Sequence, residues 1–179
     1  MQLLLEQRGA DVVVTEEVMK AAARNGQEDV LHLLKRHFSV DISVWTPIAQ
    51  IYNASKTGDV GVVRELLDEG VSPNFKDDHG RTPLWWSASN GHVSVVMLLL
   101  ERDDVQLNVT DSNGWTPLHE AAGNGHEPIV RLLICRDGVD TESIDGAGLT
   151  ALAWAIKNGH ADIAEVLKNH VGSEQKDGC

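Results

Sequence analysis

The chain is poor in positive charge, in cysteine and in long apolar stretches, and each shortage removes a class of function. Its 15 Lys and Arg face 27 Asp and Glu, a formal net charge of −12. A chain this acidic, with no Lys/Arg-rich run to reverse the balance, repels the phosphates of nucleic acids and of anionic membranes. The same charge favours a basic protein partner, but only slightly. Two cysteines, Cys135 and Cys179, supply neither metal-ligand spacing nor a disulfide framework. That fits a reducing compartment and leads us to expect a cytoplasmic or nuclear protein. No apolar run approaches the ~20 residues that a membrane-spanning helix needs. Met1–Leu5 is followed at once by Glu6 and lacks a basic start, so no secretory leader is expected. A glycine-rich phosphate loop, a nucleophile elbow and a paired-carboxylate arrangement are equally missing. No cofactor, metal or catalytic residue is therefore assigned, and the chain is expected not to be an enzyme.

What the chain has is a period. Gly-His pairs recur at Gly91-His92, Gly125-His126 and Gly159-His160, and Gly58 stands one further step upstream. Thr82, Thr116 and Thr150 keep the same spacing. A repeat every ~33 residues is one supersecondary unit stacked on copies of itself. Such a stack favours an interaction surface over a catalytic pocket.

The fullest unit shows what each residue does. Gly114 permits a turn. Thr116 caps a helix, and Pro117 suits its first position, where a missing N–H costs nothing. Leu118, Ala121 and Ala122 give a thin helix that packs close to its neighbours, and Gly125 ends it. Ile129, Val130, Leu132 and Leu133 form the apolar face of a second helix. This pattern resembles the ankyrin repeat: Thr116-Pro117-Leu118-His119, a small Ala pair, Gly-His, then a Val/Leu-rich helix. The preceding unit matches from Gly80 to His92 with Trp85 in place of the usual His, and the last from Gly148 to His160 with Ala151 and Ala153 for Pro and His. The resemblance covers residues 46–171 and implies an all-α solenoid of about five helix pairs joined by short β-hairpin-like loops.

Upstream, Ala22-Ala23 and Gly26 align with Ala121-Ala122 and Gly125, and Val30, Leu31, Leu33 and Leu34 with the second-helix face. Residues 15–37 are therefore expected to form a degenerate helix pair, with Thr15 as its cap. Leu3–Asp11 resembles the end of a further second helix, so the chain is expected to start inside a repeat. Residues 1–45 form this degenerate N-terminal part, residues 46–171 about four repeats, and residues 172–179 a polar, flexible tail. Leu3–Asp11 taken with Val14–Ala23 resembles repeats in fungal proteins that carry a nucleotide-binding NACHT domain and C-terminal ankyrin arrays. That resemblance implies the sensor array of a larger fungal signalling or incompatibility receptor as an alternative function.

Ankyrin repeats bind partners through the hairpin tips and the inner face of the first helix. Carried to this sequence, the resemblance nominates His79, Arg81 and Asn90 in one unit, Asn113, Trp115 and Asn124 in the next, and Leu149 and Lys157 in the last. Trp115 is the strongest of these, because aromatics and Arg dominate interface hot spots. Trp86 and Trp154 hold equivalent positions on their first helices, with Glu120 in that slot between them. Packing between helices accounts for them; an aromatic pocket of Trp85, Trp86 and Trp154 with Trp115, serving a small-molecule binder or unusual enzyme, is the third alternative. His92, His126 and His160 lie one repeat, roughly 10 Å, apart, too far to share a metal whose Zn–N bonds are ~2 Å. His119 and Glu120 are adjacent on a helix and do not face each other, so they make no acid/base pair. The leading expectation is a monomeric, non-catalytic scaffold for an unidentified protein partner.

Overall fold

The computed structural model describes residues 14–172, so the half repeat at Leu3–Asp11 and the tail beyond Gly172 lie outside the described residues. Ten helices follow one another among these residues, and no strand forms. They pair as α1 (Glu16–Arg24) with α2 (Glu28–Phe38), α3 (Trp45–Thr57) with α4 (Val60–Asp68), α5 (Pro83–Ser89) with α6 (Val93–Leu100), α7 (Pro117–Gly123) with α8 (Glu127–Ile134) and α9 (Ala151–Lys157) with α10 (Ala161–Gly172). The first helices α1, α3, α5, α7 and α9 stack in sequence, and α4, α6, α8 and α10 form a second layer behind them. The expected solenoid of five helix pairs is therefore present.

Local chemistry sets the ends of these helices. Thr82, Thr116 and Thr150 each sit in extended backbone, and each side chain accepts the N–H three residues on, closing an orphan donor of the first turn. Thr15 departs from expectation. It precedes α1 in extended conformation, but its side chain makes no capping bond. Asp59 caps α4 by accepting the Val62 N–H. The helix α10 continues through Gly172, the residue where the tail was expected to begin.

The core lies between the two layers. Leu99, Ile129, Val130 and Leu133 are fully or almost fully buried, and the small Ala88, Ala121, Ala122 and Ala155 let the first helices approach closely. Each buried Leu or Ile contributes ~1.5–3 kcal/mol. Buried side chains fall into two clusters. The larger runs from α3 through α10; the smaller joins Ala22, Ala23, Leu31, Ile42, Ile48, Ala49 and Tyr52, with Trp45 and Trp86 against it. The N-terminal pair thus has its own small core, because α2 packs on α1 and α3. A cleft of about 420 Å³, lined by Glu28, Asn53, Asp59, Glu65 and Glu69, opens beside α3 and α4.

One tie recurs along the stack. The imidazole of His92 reaches back to the Lys56 carbonyl at 2.8 Å, that of His126 to Ser89 at 3.1 Å, and that of His160 to Gly123 at 3.1 Å. Each accepting carbonyl belongs to the unit before, two residues ahead of its terminal glycine. That glycine is required twice over. Gly125 has φ +81°, and a Cβ there would lie 2.7 Å from His160 Cε1. At the first junction Asp59 replaces the His, and Asn53 makes the tie instead by donating to the Gly26 carbonyl at 2.9 Å.

Candidate functional site

The three hairpin turns share one construction. Asp77, Asp111 and Asp145 each use Oδ1 to accept the backbone N–H groups two and four residues on. The three turns are also laced together, with Ser112 N–H donating to the His79 carbonyl at 2.7 Å and Gly146 N–H to the Asn113 carbonyl at 2.8 Å. The result is a rigid row of hairpins, each held by its own carboxylate and by its neighbour.

The second oxygen of each Asp distinguishes the units. Asp77 Oδ2 accepts the Trp86 indole N–H at 3.2 Å and Arg81 Nε at 2.7 Å. Asp145 Oδ2 accepts the Trp154 indole N–H at 2.8 Å. Burial opposes ionisation of Asp145, but the Leu149 N–H, the Trp154 indole and the Ala147 N–H outweigh it and hold the carboxyl below the usual range. In the middle unit Glu120 stands where the other two carry Trp. Asp111 Oδ2 therefore has only a long contact of 3.4 Å from its neighbour Asn113.

Glu120 is 9% exposed, and one of its oxygens accepts Ser89 Oγ at 2.8 Å and Asn124 Nδ2 at 3.0 Å. Burial pushes its carboxyl above the ordinary range. The hydrogen bonds from Ser89 and Asn124 pull against that, the charge of Asp111 adds to it, and that of Arg81 opposes it. An open groove of about 810 Å³ is lined by this carboxylate together with Arg81, Trp85, Asp111, Trp115 and Trp154.

The tryptophans divide into two pairs rather than one cage. Trp85 and Trp86 meet edge to face with centroids 5.2 Å apart, and Trp115 and Trp154 tilt together at 4.6 Å. Trp86 does not line the groove. Its ring carries Lys56 at 4.3 Å and Arg81 at 4.2 Å and packs against the small N-terminal core. Burial lowers the Lys56 pKa, Arg81 adds to that, and Asp77 opposes it. Trp85 is 6% exposed and donates its indole N–H to the Trp115 carbonyl at 3.1 Å. His119, one unit later, faces the Leu149 carbonyl through Nε2 at 3.1 Å. The unusual Trp85 thus makes the same bridge to the next hairpin as the His it replaces. Trp154 is covered on one face by Lys157 at 4.1 Å.

The nominated partner-binding residues fare differently. His79, Asn113 and Lys157 are exposed and Leu149 and Trp115 half-buried; of the five, Asn113 and Trp115 line the groove. Asn124 donates to the Ser89 carbonyl at 3.2 Å as well as to Glu120, so it ties two units together. Asn90 bonds back to the Trp86 carbonyl. Arg81 is held by Asp77 and lies flat on Trp86, so it is a buttress of its hairpin. Trp115 does not lie against the adjacent hairpin alone. It covers Gly123, where a Cβ would come within 3.3 Å of its ring, and leans on Trp154. Glu120 and Asp111 belong to the site and were not nominated. The substitution of Glu for Trp within the repeat was the signal for the first. No group of three His, Cys, Asp or Glu side chains among the described residues has the geometry to hold a metal.

A family model described as ankyrin repeats (3 copies) matches residues 51–145 and 104–178. The chain belongs to the ankyrin-repeat family. A putative ankyrin repeat protein of Fowlpox virus is 32% identical over 99 residues, covering 53% of this chain and 70% of that protein. A putative ankyrin repeat protein of Pyrobaculum aerophilum is 38% identical over 76 residues, 42% of this chain and 28% of its own length. An ankyrin repeat-containing protein of Schizosaccharomyces pombe is 39% identical over 61 residues, 34% and 28% respectively. The chain thus spans under a third of the latter two relatives. Residues 3–29 match a second model, described as a domain of unknown function (DUF7104). Ankyrin repeats mediate protein–protein interaction and are typically non-catalytic; no described helix is long and apolar enough to cross a membrane.

Proposed function

We propose that this ankyrin array is a non-catalytic scaffold that binds a protein partner across the hairpin tips and the first-helix groove, and does so as a monomer. The observation that carries it is the groove lined by Glu120, where the hairpins present Asn113, Trp115 and Ala147 together. Trp115 combines a large apolar face with a fixed position, the combination that marks interface anchors. The small-molecule reading has less support, because Trp86 does not line the groove and Trp85 bridges two units. The receptor-sensor reading rests on the sequence resemblance of the N-terminal residues; reading the gene upstream for an effector domain tests it.

The experiment is to capture partners with the wild-type chain beside Asn113→Arg, Ala147→Arg and Met97→Arg. Met97 is 49% exposed on α6, in the layer behind the first helices. A partner lost with the first two variants and retained with the third supports the groove. A partner retained by all three, or lost only with Met97→Arg, refutes it.

A further inference from the structure

The three hairpins place different groups at one position, and the middle one is out of balance. In the first, Asp77 Oδ2 receives two donors, an indole N–H and a guanidinium. In the third, Asp145 Oδ2 receives an indole N–H. In the second, the residue at the indole position is an acid. Asp111 Oδ2 has only the 3.4 Å contact from Asn113, and both of Glu120's hydrogen bonds go to Oε2. Among the described residues no donor reaches Glu120 Oε1, and the side chain, nine-tenths buried, lines the groove. Two carboxylates therefore converge at a site whose counterparts hold donors.

The nearest cation does not resolve this. Arg81 Nε is fixed 2.7 Å from Asp77 Oδ2, and its guanidinium lies 4.2 Å over Trp86. Its hydrogen bond and stacking contact are thus with its own unit. The ring of Trp115 lines the same groove as Glu120 and Asp111, and no cation among the described residues sits over it, whereas Trp86 carries two and Trp154 one. An aromatic face beside two carboxylates, one of them largely buried, selects a cation, and a planar guanidinium serves both surfaces better than a compact, strongly hydrated ammonium. The first hairpin already shows the arrangement within the chain, as Arg81 stacked on Trp86 and bonded to Asp77.

We propose that the groove over Glu120 binds the guanidinium of an arginine side chain on the partner protein, with Glu120 and Asp111 as counter-charges and Trp115 as the stacking face. This rests on the reading of the groove as the partner-binding surface and names the residue that the partner brings to it. The net charge of −12 adds long-range attraction for an arginine-bearing segment.

The test follows the tryptophan indole N–H signals by NMR during titration with N-acetyl-arginine methylamide, and separately with the citrulline and lysine analogues. Citrulline keeps the shape and removes the charge. The arginine amide is expected to shift the Trp115 and Trp154 signals saturably, with citrulline inert and lysine clearly weaker. Glu120→Gln weakens the arginine effect about tenfold, the worth of a charged hydrogen bond. Glu101→Gln, an exposed acid at the end of α6, leaves it unchanged. Unshifted Trp45 and Trp86 signals in Glu120→Gln show that the variant is folded. Equal shifts from arginine and citrulline, equal shifts from lysine, or a Glu120→Gln curve matching wild type would each overturn the proposal. A captured partner that is lost with Ala147→Arg but indifferent to Glu120→Gln would overturn the guanidinium alone and leave the groove standing.

Discussion

Replacing Gly125 by Ala isolates the tie between repeats, because Gly159 provides its control. The two glycines share a backbone, with φ +81° and +80°. An L-residue in that left-handed region costs ~1–2 kcal/mol. At Gly159 nothing lies within 4 Å of the Cβ that would be added, so Gly159→Ala costs that strain alone. At Gly125 the new methyl would meet His160 at 2.7 Å from Cε1 and 3.0 Å from Nδ1. The imidazole must swing away, and its 3.1 Å bond to the Gly123 carbonyl breaks. A part-buried hydrogen bond is worth ~1 kcal/mol net, which brings Gly125→Ala to ~2–3 kcal/mol. In a His160→Ala background the collision disappears and Gly125→Ala falls back to the strain value. A double-mutant cycle should then show ~1 kcal/mol of coupling between the two positions. Urea unfolding followed by circular dichroism measures all four proteins. If Gly125→Ala and Gly159→Ala agree within ~0.5 kcal/mol, or the cycle is additive, the histidine is not a brace between repeats.

Three further outcomes are expected. The raised carboxyl of Glu120 means that the folded state holds its proton to higher pH than the unfolded chain does. That residue's contribution is complete below the ordinary value of 4.5 and is lost as pH climbs through the raised value, so Glu120→Gln should stabilise the protein at neutral pH and lose that advantage in acid. Thermal melts of both proteins across acid and neutral pH check the sign, and a variant less stable at pH 7 than at pH 4 relative to wild type contradicts it. Asp77→Ala strands Arg81, the Trp86 indole and two backbone N–H groups, and should cost ~3–5 kcal/mol, as removing one partner of a largely buried pair does. Asp111→Ala, whose second oxygen holds little, should cost clearly less in the same urea assay. Trp85→Phe keeps most of the packing but loses the bond to the Trp115 carbonyl, for ~1–2 kcal/mol; a neutral result would mean that the bridge between hairpins is not made by Trp85.

Most of the stack was legible because its signals are local and repeated. Thr82, Thr116 and Thr150 cap where their spacing predicts, since a cap involves only the next turn. Thr15 has the right position without the bond, so the residue type alone did not suffice. The groove was harder to read. Arg81 and Asn124 were nominated as binding residues from position alone, and whether such a side chain is free depends on an acceptor 4 residues away or 35 residues away. Trp115 could be singled out, but its match to Gly123 could not, because the two meet only after the hairpin folds over α7. The two-cluster core was likewise invisible, since α2 keeps the helical pattern of its counterparts while choosing a different neighbour.

Because every tie reaches back to the unit before, the ties act in series along the array. Tension applied to the two ends would pass through each of them in turn, like load through the links of a chain. The first junction is expected to be the softest link. There Asn53 replaces the imidazole, bonding the Gly26 carbonyl and Glu28, the smaller core cluster backs it, and a cleft lined by Glu28, Asp59, Glu65 and Glu69 gathers like charges beside it. The N-terminal pair should therefore yield at the lowest force, while the histidine-linked repeats behave as a stiffer spring that still holds the groove in shape.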